Sequence, residues 1–469
     1  MNIDLSIEVF ENLSDHNVIS AALKISFVVY ENGGKAYFVG GCVRDAILGH
    51  EVTDFDIEVF GIDFCALKSL LEKYFDVDET GKSFCVLKIG GLPIDVSVPR
   101  SERKFGDSHR AFEVRQLKTF DVRAAADRRD FTINSIYFDV HDEKLIDEFG
   151  GMKDLRHGIL RHVSEKFSED PLRVLRGMQF AGRFELKCDK ETLNICCELS
   201  IENISKERIF SEWEKLILKS KKPSFGLKFL MDSGWLKFFP EIDILRECHQ
   251  DISQHPEDTV FEHTCLAMDV FAETKIGNPY EDLVLGFATL CHDFGKPYVT
   301  TKDKYGIHHY GHDEAGILPA KNFLMQINVP RGIIDDVLPL VRYHMLPRTM
   351  FQNRGNNSVS DVLHLANNVG RIDRLLRLCY NDCVGRKDFL KNYDSRPDDW
   401  LMNISKSLGV FEKKPKQIIQ GNDLLSIGLT PSDKFSKIIN SCFEAQLDGK
   451  FSTHSEGMEF LQKIAENYM

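Results

Sequence analysis

The chain has 469 residues, of which 43% are hydrophobic and 28% are charged. This globular composition, with enough length for about three ordinary domains, excludes a disordered or fibrous protein. The net charge of −13 excludes a uniformly basic surface, but nucleic-acid binding requires only a local basic face. The N-terminus is acidic, which is unusual for a signal peptide, and no apolar run approaches the ~20 residues of a membrane span. The cysteines are scattered without CxxC spacing. These features favour a reduced, cytoplasmic protein without membrane association.

The first part of the chain predicts an α+β domain. Residues 1–35 have the pattern of one or two helices, and short strands and helices alternate over residues 36–150. The predicted strands are "AYFVGG" and "TDFDIEVF", and the predicted helices are "CVRDAILG" and "FCALKSLLEKYF". The stretch "CVLKIGGLPIDVSV" predicts two strands joined at Gly90-Gly91.

From about residue 155 onward the pattern becomes helical. Apolar residues recur at helical spacing in "DPLRVLRGMQFAGRF" and "RIFSEWEKLILKS", and strand patterns nearly vanish. Joints between segments are expected near 150–160, 240–255 and 393–415, where glycine, proline and charged residues gather.

Three aspartates in the predicted strands are candidate metal ligands. Residues two apart in a strand point to one face, so Asp54 and Asp56 project together while Phe55 and Ile57 face the core. Asp95 in "PIDVSV" adds a third carboxylate from a neighbouring strand. Carboxylates on one face can hold Mg²⁺ with waters and substrate phosphates, and two such ions stabilise phosphoryl transfer. Ordinary surface aspartates at a strand edge are the alternative interpretation.

A glycine turn precedes these aspartates. Gly40-Gly41 allows a backbone to approach a phosphate closely, and the helix that starts near Cys42 offers N–H groups. Arg44 lies in the first turn of that helix, where its guanidinium can fork onto a phosphate. A plain tight turn is the alternative for the glycine pair. Together, the turn and the aspartates predict a site for a nucleoside triphosphate and its metal ions.

Four motifs in fixed order resemble one family. "GGCVRD" followed by "DFD" is similar to the nucleotidyltransferase core of class II CCA-adding enzymes and bacterial poly(A) polymerases. "RSERKFGDSHRAFEV" resembles that family's flexible loop, and "ADRRDFTINSIYFD" resembles its RRDxTxNA motif with Ser135 in place of alanine. "EDPLRVLRGMQFAGRF" resembles its EDxLRxxRxxRFA motif with Gln179 in place of an arginine. The similarity continues to "EAQLDGKFS" near the end, so the resemblance covers most of the chain.

The resemblance implies addition of C, C and A to the 3′ end of tRNA from CTP and ATP without a nucleic-acid template. Cytosine and adenine each present an exocyclic amine beside a ring acceptor, so a carboxylate and an arginine can select them together. The resemblance assigns this selection to Asp170 and Arg173, and it implies that Arg129 and Arg176 hold phosphates or orient that pair. Alternatively, Asp170 only caps the following helix. Asp130 is left as a structural residue that pairs with a neighbour.

A second set of candidate ligands lies in "HPEDTVFEHTCLAMD", "LCHDFGKP" and "NDCVGRKD". The ordered set resembles the HD phosphohydrolase superfamily, whose domains are fused to some bacterial CCA-adding enzymes. The matching ligand positions are His263, His292, Asp293 and Asp382, which would hold a divalent transition metal or Mg²⁺. His312 and His344 are candidates for a second metal or for phosphate binding. The implied activity is hydrolysis of phosphate esters or cyclic phosphates, and a degenerate HD fold is the alternative.

The predicted organisation has four parts. An α+β nucleotidyltransferase head with a small mixed sheet spans 1–155, and a helical neck and body for base reading and tRNA binding spans 156–250. A metal-dependent HD phosphohydrolase domain spans 251–395, and a helical tRNA-binding tail spans 396–469.

Three questions stay open at this point. The first alternative function is an A-adding enzyme, and the second is an HD phosphohydrolase whose N-terminal half only binds RNA. The chain is either a monomer or a homodimer. Lysines and arginines near residues 206–228 and 413–416 are candidate tRNA phosphate contacts, or alternatively solvated helix faces.

Overall fold

The computed structural model describes residues 5–78, 86–104, 112–116, 121–355, 358–386, 393–431 and 434–465, with only the backbone for 100–104 and 112–116. The chain folds into two compact units, residues 1–203 and 204–469. No helix in the described part of the chain is both long and apolar enough to cross a bilayer.

The first unit combines a mixed sheet with helices. Its helices are α1 Ile7–Leu13, α2 His16–Glu31, α3 Gly41–Ile47, α4 Phe64–Leu71, α5 Val122–Ala126, α6 Gly151–His157, α7 Leu172–Phe184 and α8 Lys190–Glu198. Its strands are β1 Lys35–Val39, β2 Phe55–Phe60, β3 Val77–Asp78, β4 Val86–Ile89, β5 Ile94–Ser97, β6 Arg100–Lys104, β7 Phe112–Gln116, β8 Tyr137–Asp139, β9 Lys144–Ile146, β10 Ile159–Leu160 and β11 Lys187–Cys188.

Seven strands form the main sheet in the order β3-β4-β5-β2-β1-β8-β9. The pairs are antiparallel except β2–β5, which is parallel and aligns Asp56 with Asp95. The sheet packs against α2, which buries Ile25 and Val29 against a core that includes Phe38 and Ile57. Alternation along β2 therefore leaves its acidic residues on the face away from this core.

The second unit is mostly helical. Its helices are α9 Lys206–Lys219, α10 Pro223–Asp232, α11 Pro240–Asp243, α12 Val260–Glu273, α13 Pro279–Cys291, α14 Lys296–Val299, α15 His312–Ala315, α16 Ile317–Gln326, α17 Arg331–Tyr343, α18 Leu346–Gln352, α19 Val359–Val369, α20 Ile372–Val384, α21 Arg396–Ser407, α22 Gly421–Ser426, α23 Lys434–Leu447 and α24 His454–Ala465. One antiparallel hairpin joins β12 Thr301–Asp303 to β13 Gly306–His308.

Helix α13 is the centre of the second unit. Every residue from Leu283 to Cys291 is buried, and α13 packs against α12, α17 and α20. A helix that is apolar on all sides is stable only when neighbours surround it. This arrangement brings the middle of α12, the end of α13 and the end of α20 together. The final helices form a separate small core that includes Ile419, Leu424 and Leu461.

The α+β first part and the mainly helical remainder confirm the predicted fold class. Two details differ. The later segments contain the short pairs β10–β11 and β12–β13, which are too short for a strand pattern to be visible. Helix α7 begins at Leu172, and Pro171 rather than Asp170 takes the N-cap position. The boundary at residues 203 and 204 lies inside the predicted segment 156–250, so the four-part division stays a prediction.

Candidate functional site

The carboxylate site consists of Asp54, Asp56 and Asp95 in the first unit. Asp54 directly precedes β2 and Asp56 is its second residue, and both are exposed, whereas Phe55 and Ile57 are buried. Strand alternation therefore puts the two carboxylates on the same face. The parallel pairing of β2 with β5 places Asp95 beside Asp56 on that face.

The negative charges of the carboxylate site reinforce one another. The pKa of Asp56 is raised to about 6, mainly because neighbouring groups reduce the hydration of its carboxylate. The positive charge of Arg129 lowers this pKa, whereas the negative charges of Asp54 and Asp95 raise it. Among the described residues, the groups of three ligand atoms within 4.8 Å of one another all lie between residues 255 and 382. The carboxylates of Asp54, Asp56 and Asp95 thus share a face of the sheet but do not bring three oxygens within 4.8 Å of one another. They fit an ion whose remaining ligands are phosphate oxygens and water.

The predicted glycine turn lies next to these carboxylates. Gly40 has φ 73° and ψ −123°, a conformation that only glycine adopts readily. A Cβ at this position would lie 3.0 Å from Nη1 of Arg129 and 3.5 Å from Oδ2 of Asp56. Glycine is therefore required both by the backbone and by the close approach of two charged side chains.

Arg44 differs from its prediction. Only 3% of it is exposed, and its guanidinium donates from Nε to Asp45 Oδ1 at 2.9 Å and from Nη2 to Asp45 Oδ2 at 3.0 Å. It also donates to the side chain of Asn134 and lies over the ring of Phe184 at 4.4 Å. The guanidinium forks onto a neighbouring carboxylate instead of facing a phosphate. The motif spacing could not reveal this contact, because the sequence does not show whether the Arg44 guanidinium binds a phosphate or the carboxylate of the adjacent Asp45.

Arg129 lies between the glycine turn and a buried acid. It donates to Glu58, to the Tyr137 hydroxyl and to the Asn134 carbonyl, each at 3.4 Å. Glu58 also accepts a hydrogen bond of 2.6 Å from Tyr137. Sequence reasoning missed Glu58 and Tyr137. A signal was present for Glu58, because it lies two residues beyond Asp56 on the same strand face.

Asp130 is the last residue of the RRD sequence that begins at Arg128, and it is held by three hydrogen bonds. It accepts from Arg176 Nε at 2.6 Å, from the Asn134 amide at 3.0 Å and from the Phe131 backbone N–H at 2.8 Å. Burial raises its pKa, but Arg176 and Asn134 outweigh burial and hold the pKa below its ordinary value. Asp130 therefore has a structural role, in which its carboxylate binds Arg176. The same bond holds Arg176 in place.

The proposed base-reading pair lies at the start of α7. Asp170 Oδ1 accepts from the Leu172 backbone N–H at 3.1 Å, so it satisfies one free N–H at the start of the helix although Pro171 takes the N-cap position. Arg173 donates to the carbonyls of Lys166 at 2.8 Å and Arg128 at 2.6 Å. These bonds use two of the five N–H groups of the guanidinium. Arg173 thus fixes the backbone beside Arg129, and the assignment of base reading stays a prediction.

The segment "RSERKFGDSHRAFEV", which resembles the family's flexible loop, contains β6 and the start of β7, and these strands pair antiparallel. Residues 105–111 lie outside the described residues, so the loop prediction is described only through its flanking strands.

The histidine site lies in the second unit and consists of His263, His292, Asp293, Asp382 and their neighbours His312 and His344. His263 Nε2 is 3.1 Å from Asp382 Oδ1, 3.4 Å from His292 Nε2 and 3.7 Å from Asp293 Oδ2. His292 Nε2 is 3.2 Å from Asp293 Oδ2. The structure therefore brings the four predicted ligands together, and all four are buried.

His312 and His344 extend this group. Asp293 Oδ1 lies 3.4 Å from His312 Nε2, and the two Nε2 atoms of His312 and His344 are 3.1 Å apart. Asp293, His312 and His344 form a second set of ligand atoms within 4.8 Å. Asp293 therefore has one oxygen near each set, Oδ2 near His263 and His292 and Oδ1 near His312.

Hydrogen bonds orient the imidazole rings. Nδ1 of His292, His312 and His344 lies 2.7, 2.8 and 2.7 Å from the carbonyls of Thr289, His309 and Val341. The carbonyl contacts make each Nδ1 the protonated nitrogen, which leaves Nε2 as the lone-pair donor toward the centre. His263 is held by Glu257, whose oxygen is 3.0 Å from its Nδ1. Such partners are typical of metal ligands, so the donor set fits a divalent ion.

Two cations border the same centre. Lys296 Nζ is 2.6 Å from Asp293 Oδ2 and donates to Gln250 Oε1 at 2.6 Å. Arg386 Nη2 is 3.6 Å from Asp382 Oδ1. Burial raises the pKa of both aspartates, but the nearby histidines and these cations outweigh burial and hold both pKa values well below the ordinary range. Both carboxylates are therefore ionised at neutral pH. Sequence reasoning did not select Lys296, although it lies one helical turn after Asp293.

Comparison with known proteins decides the family. The model named Poly A polymerase head domain matches residues 36–161, and the model described as "Probable RNA and SrmB- binding site of polymerase A" matches residues 186–245. The Multifunctional CCA protein of Haemophilus influenzae is 33% identical over 384 residues, covering 79% of this chain and 89% of that protein. The chain belongs to the CCA-adding enzyme family. It is a tRNA nucleotidyltransferase, as the motifs predicted.

Solved structures of CCA-adding enzymes share this fold. The Bacillus stearothermophilus enzyme in complex with CTP superimposes with a TM-score of 0.63 at 19% identity, covering 96% of this chain and 98% of that chain. The Thermotoga maritima enzyme complexed with tRNA gives 0.57 at 19% identity, covering 98% of each chain. At this identity the likeness shows the fold.

Several basic residues of this CCA-adding enzyme that were candidates for tRNA contact already have acidic partners. Lys215 contacts Glu212 at 2.7 Å, Lys222 contacts Glu273 at 2.7 Å, and Lys228 contacts Glu262 at 2.9 Å. These pairs favour the solvated-face alternative for those three lysines.

Proposed function

We propose that the first unit transfers CMP and AMP from CTP and ATP to the 3′ end of tRNA, with Asp54 and Asp56 as its essential metal-binding acids. The observation that carries this proposal is the common face of Asp54, Asp56 and Asp95 beside the Gly40 turn. The glycine turn has no side chain that would keep a triphosphate away from the backbone. The nearby carboxylates repel the phosphates unless cations lie between them. The site therefore suits a nucleotide that arrives with Mg²⁺.

The chain's own groups position the reactants. The terminal ribose hydroxyl of the tRNA gives up its proton to solvent and its oxygen attacks the α-phosphate, the bond from that phosphorus to the bridging oxygen breaks, and pyrophosphate leaves. Bound Mg²⁺ supplies positive charge that stabilises the attacking and leaving oxygens. Arg129, anchored on Glu58, lies at the turn where it can contact the phosphates. Arg44 acts by fixing the turn through Asn134 and Asp45, which revises its predicted role as a direct phosphate ligand.

Asp170 and Arg173 are the proposed base-reading residues. A carboxylate accepts from the exocyclic amine of cytosine or adenine, whereas uracil and guanine present a carbonyl there. Each mismatched buried partner costs roughly 1–3 kcal/mol. Asp170→Asn can still accept from the Leu172 N–H but has a donor as well as an acceptor, so it separates base reading from this contact at the helix start. We expect it to accept UTP more readily without loss of helix stability. Unchanged selectivity in a competition of CTP against UTP would contradict the assignment.

The extent of addition is tested with three tRNA substrates. The tRNA lacks CCA, lacks CA or lacks only A, and labelled CTP and ATP are supplied together and separately. We expect all three to be completed. Extension of the last substrate alone would support the A-adding alternative. The rival in which the first unit only binds RNA predicts that Asp54→Ala leaves the main activity unchanged.

We propose a second function, hydrolysis of phosphate esters, including 2′,3′-cyclic phosphates, at the histidine site. The oriented Nε2 atoms and ionised aspartates support it. Bound divalent ions supply a Lewis acid and activate water for attack on phosphorus. Lys296 and Arg386 border the same cavity and offset the charge of the phosphate. A histidine site kept only for its shape would not need fixed tautomers at three rings.

Metal content and hydrolysis test this second function together. We expect the full chain to retain a divalent transition metal by elemental analysis and to hydrolyse a 2′,3′-cyclic nucleotide, and His292→Ala and Asp293→Ala to lose both. His364→Ala is the matched control, because His364 is a partly exposed histidine paired with Asp448 at 3.1 Å and lies outside the histidine site. Equal metal content and hydrolysis in all variants would end the proposal.

A further inference from the structure

The hairpin β12–β13 and the residues after it form one wall of the cavity over the histidine site. This cavity has a volume of about 340 Å³ and is lined by Asp293, His312, His344 and Asp382 as well as by His308 and Tyr310. Its size falls within the range of small-ligand pockets. The same cavity is thus lined both by the ligand residues of the histidine site and by the aromatic rings of His308 and Tyr310.

Tyr310 is 80% exposed, which is unusual for a large aromatic side chain. Its ring lies against the ring of His308, with centroids 5.3 Å apart and planes 13° apart. His308 is held in turn by Asp303, 3.1 Å from its Nε2. One face of the tyrosine is therefore backed by a fixed ring while most of the side chain meets solvent.

The surrounding backbone holds Tyr310 in place relative to the metal ligands. The preceding His309 has its Nδ1 2.9 Å from the Thr300 hydroxyl, and two residues beyond Tyr310 comes His312, the first residue of α15. At the turn, a side chain on Gly306 would collide with Asp251. The hairpin is thus pinned on both sides, and the distance from the tyrosine ring to the metal ligands is set by the fold.

The charge around the cavity favours a ligand with a phosphate. Lys296 and Arg386 line its inner part, and Lys302 and Lys304 are exposed on the hairpin. Single-stranded nucleic acids are bound by this combination, in which cations follow the backbone and aromatic rings stack on bases. A simple phosphate ester would use the cations but would leave the aromatic surface without a role.

We propose that Tyr310, backed by His308, stacks on the nucleobase of a 3′-terminal ribonucleotide whose phosphate lies in the histidine site. The inference rests on the proposed phosphohydrolase function and specifies its substrate as a nucleotide or RNA end. Stacking is tolerant of sequence, because every base has an aromatic face. The site would therefore accept either a purine or a pyrimidine and would disfavour a terminal ribose without a base.

Tyr310→Ala tests the proposal, with Tyr310→Phe and Tyr305→Ala as controls. Tyr305 is 75% exposed on the same hairpin but is not among the described residues that line the cavity. The substrates are a short RNA ending in adenosine 2′,3′-cyclic phosphate and the same RNA ending in an abasic ribose 2′,3′-cyclic phosphate. We expect Tyr310→Ala to raise KM for the adenosine-ended RNA about tenfold with little change in kcat. Tyr310→Phe, which keeps the aromatic ring, should restore most of the lost affinity. The abasic substrate with Tyr310→Ala, and both substrates with Tyr305→Ala, should show the KM of the unchanged chain.

A binding measurement separates this proposal from the hydrolysis on which it rests. Adenosine 3′-phosphate and inorganic phosphate are titrated calorimetrically into the metal-loaded full chain and into Tyr310→Ala, whose first unit is identical. A tenfold weaker nucleotide affinity with unchanged phosphate affinity supports stacking even if no cyclic phosphate is hydrolysed. Equal affinities in both proteins, or equal losses for both ligands, would overturn it. Absence of hydrolysis by the unchanged chain would instead count against the proposed phosphohydrolase alone.

Discussion

Replacement of Gly40 by alanine should damage nucleotide addition more than it damages the fold. An alanine at φ 73° and ψ −123° costs about 1–3 kcal/mol of backbone strain. The new Cβ would also lie 3.0 Å from Arg129 Nη1, so the guanidinium must move by a few tenths of an ångström. That movement stretches its bonds to Glu58, Tyr137 and the Asn134 carbonyl. Small displacements of a positioning group reduce rates by up to about 100-fold.

Gly49→Ala isolates the backbone contribution. Gly49 follows the same helix α3 at φ 68°, and a Cβ there would meet no atom within 4 Å. This variant should lose about 1–2 kcal/mol of unfolding free energy from the left-handed backbone alone and keep its activity. Both variants are compared by urea unfolding and by the rate of AMP addition to tRNA lacking only A, well below their melting temperatures. We expect a tenfold to 100-fold lower rate for Gly40→Ala. Equal rates in the two variants would refute the role given to the turn.

Three further outcomes follow from the contacts described above. Asp130→Ala should lower the free energy of unfolding by about 2–3 kcal/mol, because it breaks the bond to a partly exposed Arg176; a loss below 0.5 kcal/mol in urea would contradict this. Since the folded pKa of Asp130 lies below its ordinary value, the native-state benefit is present at neutral pH and is lost as the pH falls below about 4, which urea titrations across pH would show. Asp293→Asn should remove bound metal from the second unit and leave CCA addition to tRNA within about twofold of the unchanged rate, and a large loss of addition would show that the sites are coupled.

The two candidate sites were predictable from sequence to different depths. The strand period alone placed Asp54 and Asp56 on one face, because Phe55 and Ile57 had to face the core. The strand pattern also suggested Asp95 as a third carboxylate from a neighbouring strand. The register that brings it beside Asp56 depends on a parallel pairing between non-consecutive strands, which the pattern did not fix. The histidine set could be selected by its order, although its members come from different helices.

Side-chain partners were the least predictable part. Arg44 has the same local sequence whether it faces a phosphate or Asp45, and only the packing of Phe184 against it decides between these. Arg173 is similar, because the carbonyls that it contacts belong to segments that the fold brings near. The hairpin β12–β13 was not predicted, because strands of three residues carry almost no periodic signal. Tyr310 could not be selected from the sequence, because only the structure shows that it lines the same cavity as His312.

The most direct test of the central claim is single-turnover addition of AMP to tRNA lacking only its terminal A, by Asp54→Asn, Asp56→Asn and Asp63→Asn. Asp63 is an exposed carboxylate of the same unit that caps α4 by accepting from Ala66 N–H at 3.0 Å, and asparagine preserves such a cap. The first two variants should lose about a thousandfold in rate, equivalent to about 4 kcal/mol, and the third should stay within about twofold. An Asp56→Asn enzyme that adds AMP as fast as Asp63→Asn would contradict the claim that this carboxylate pair performs the transfer.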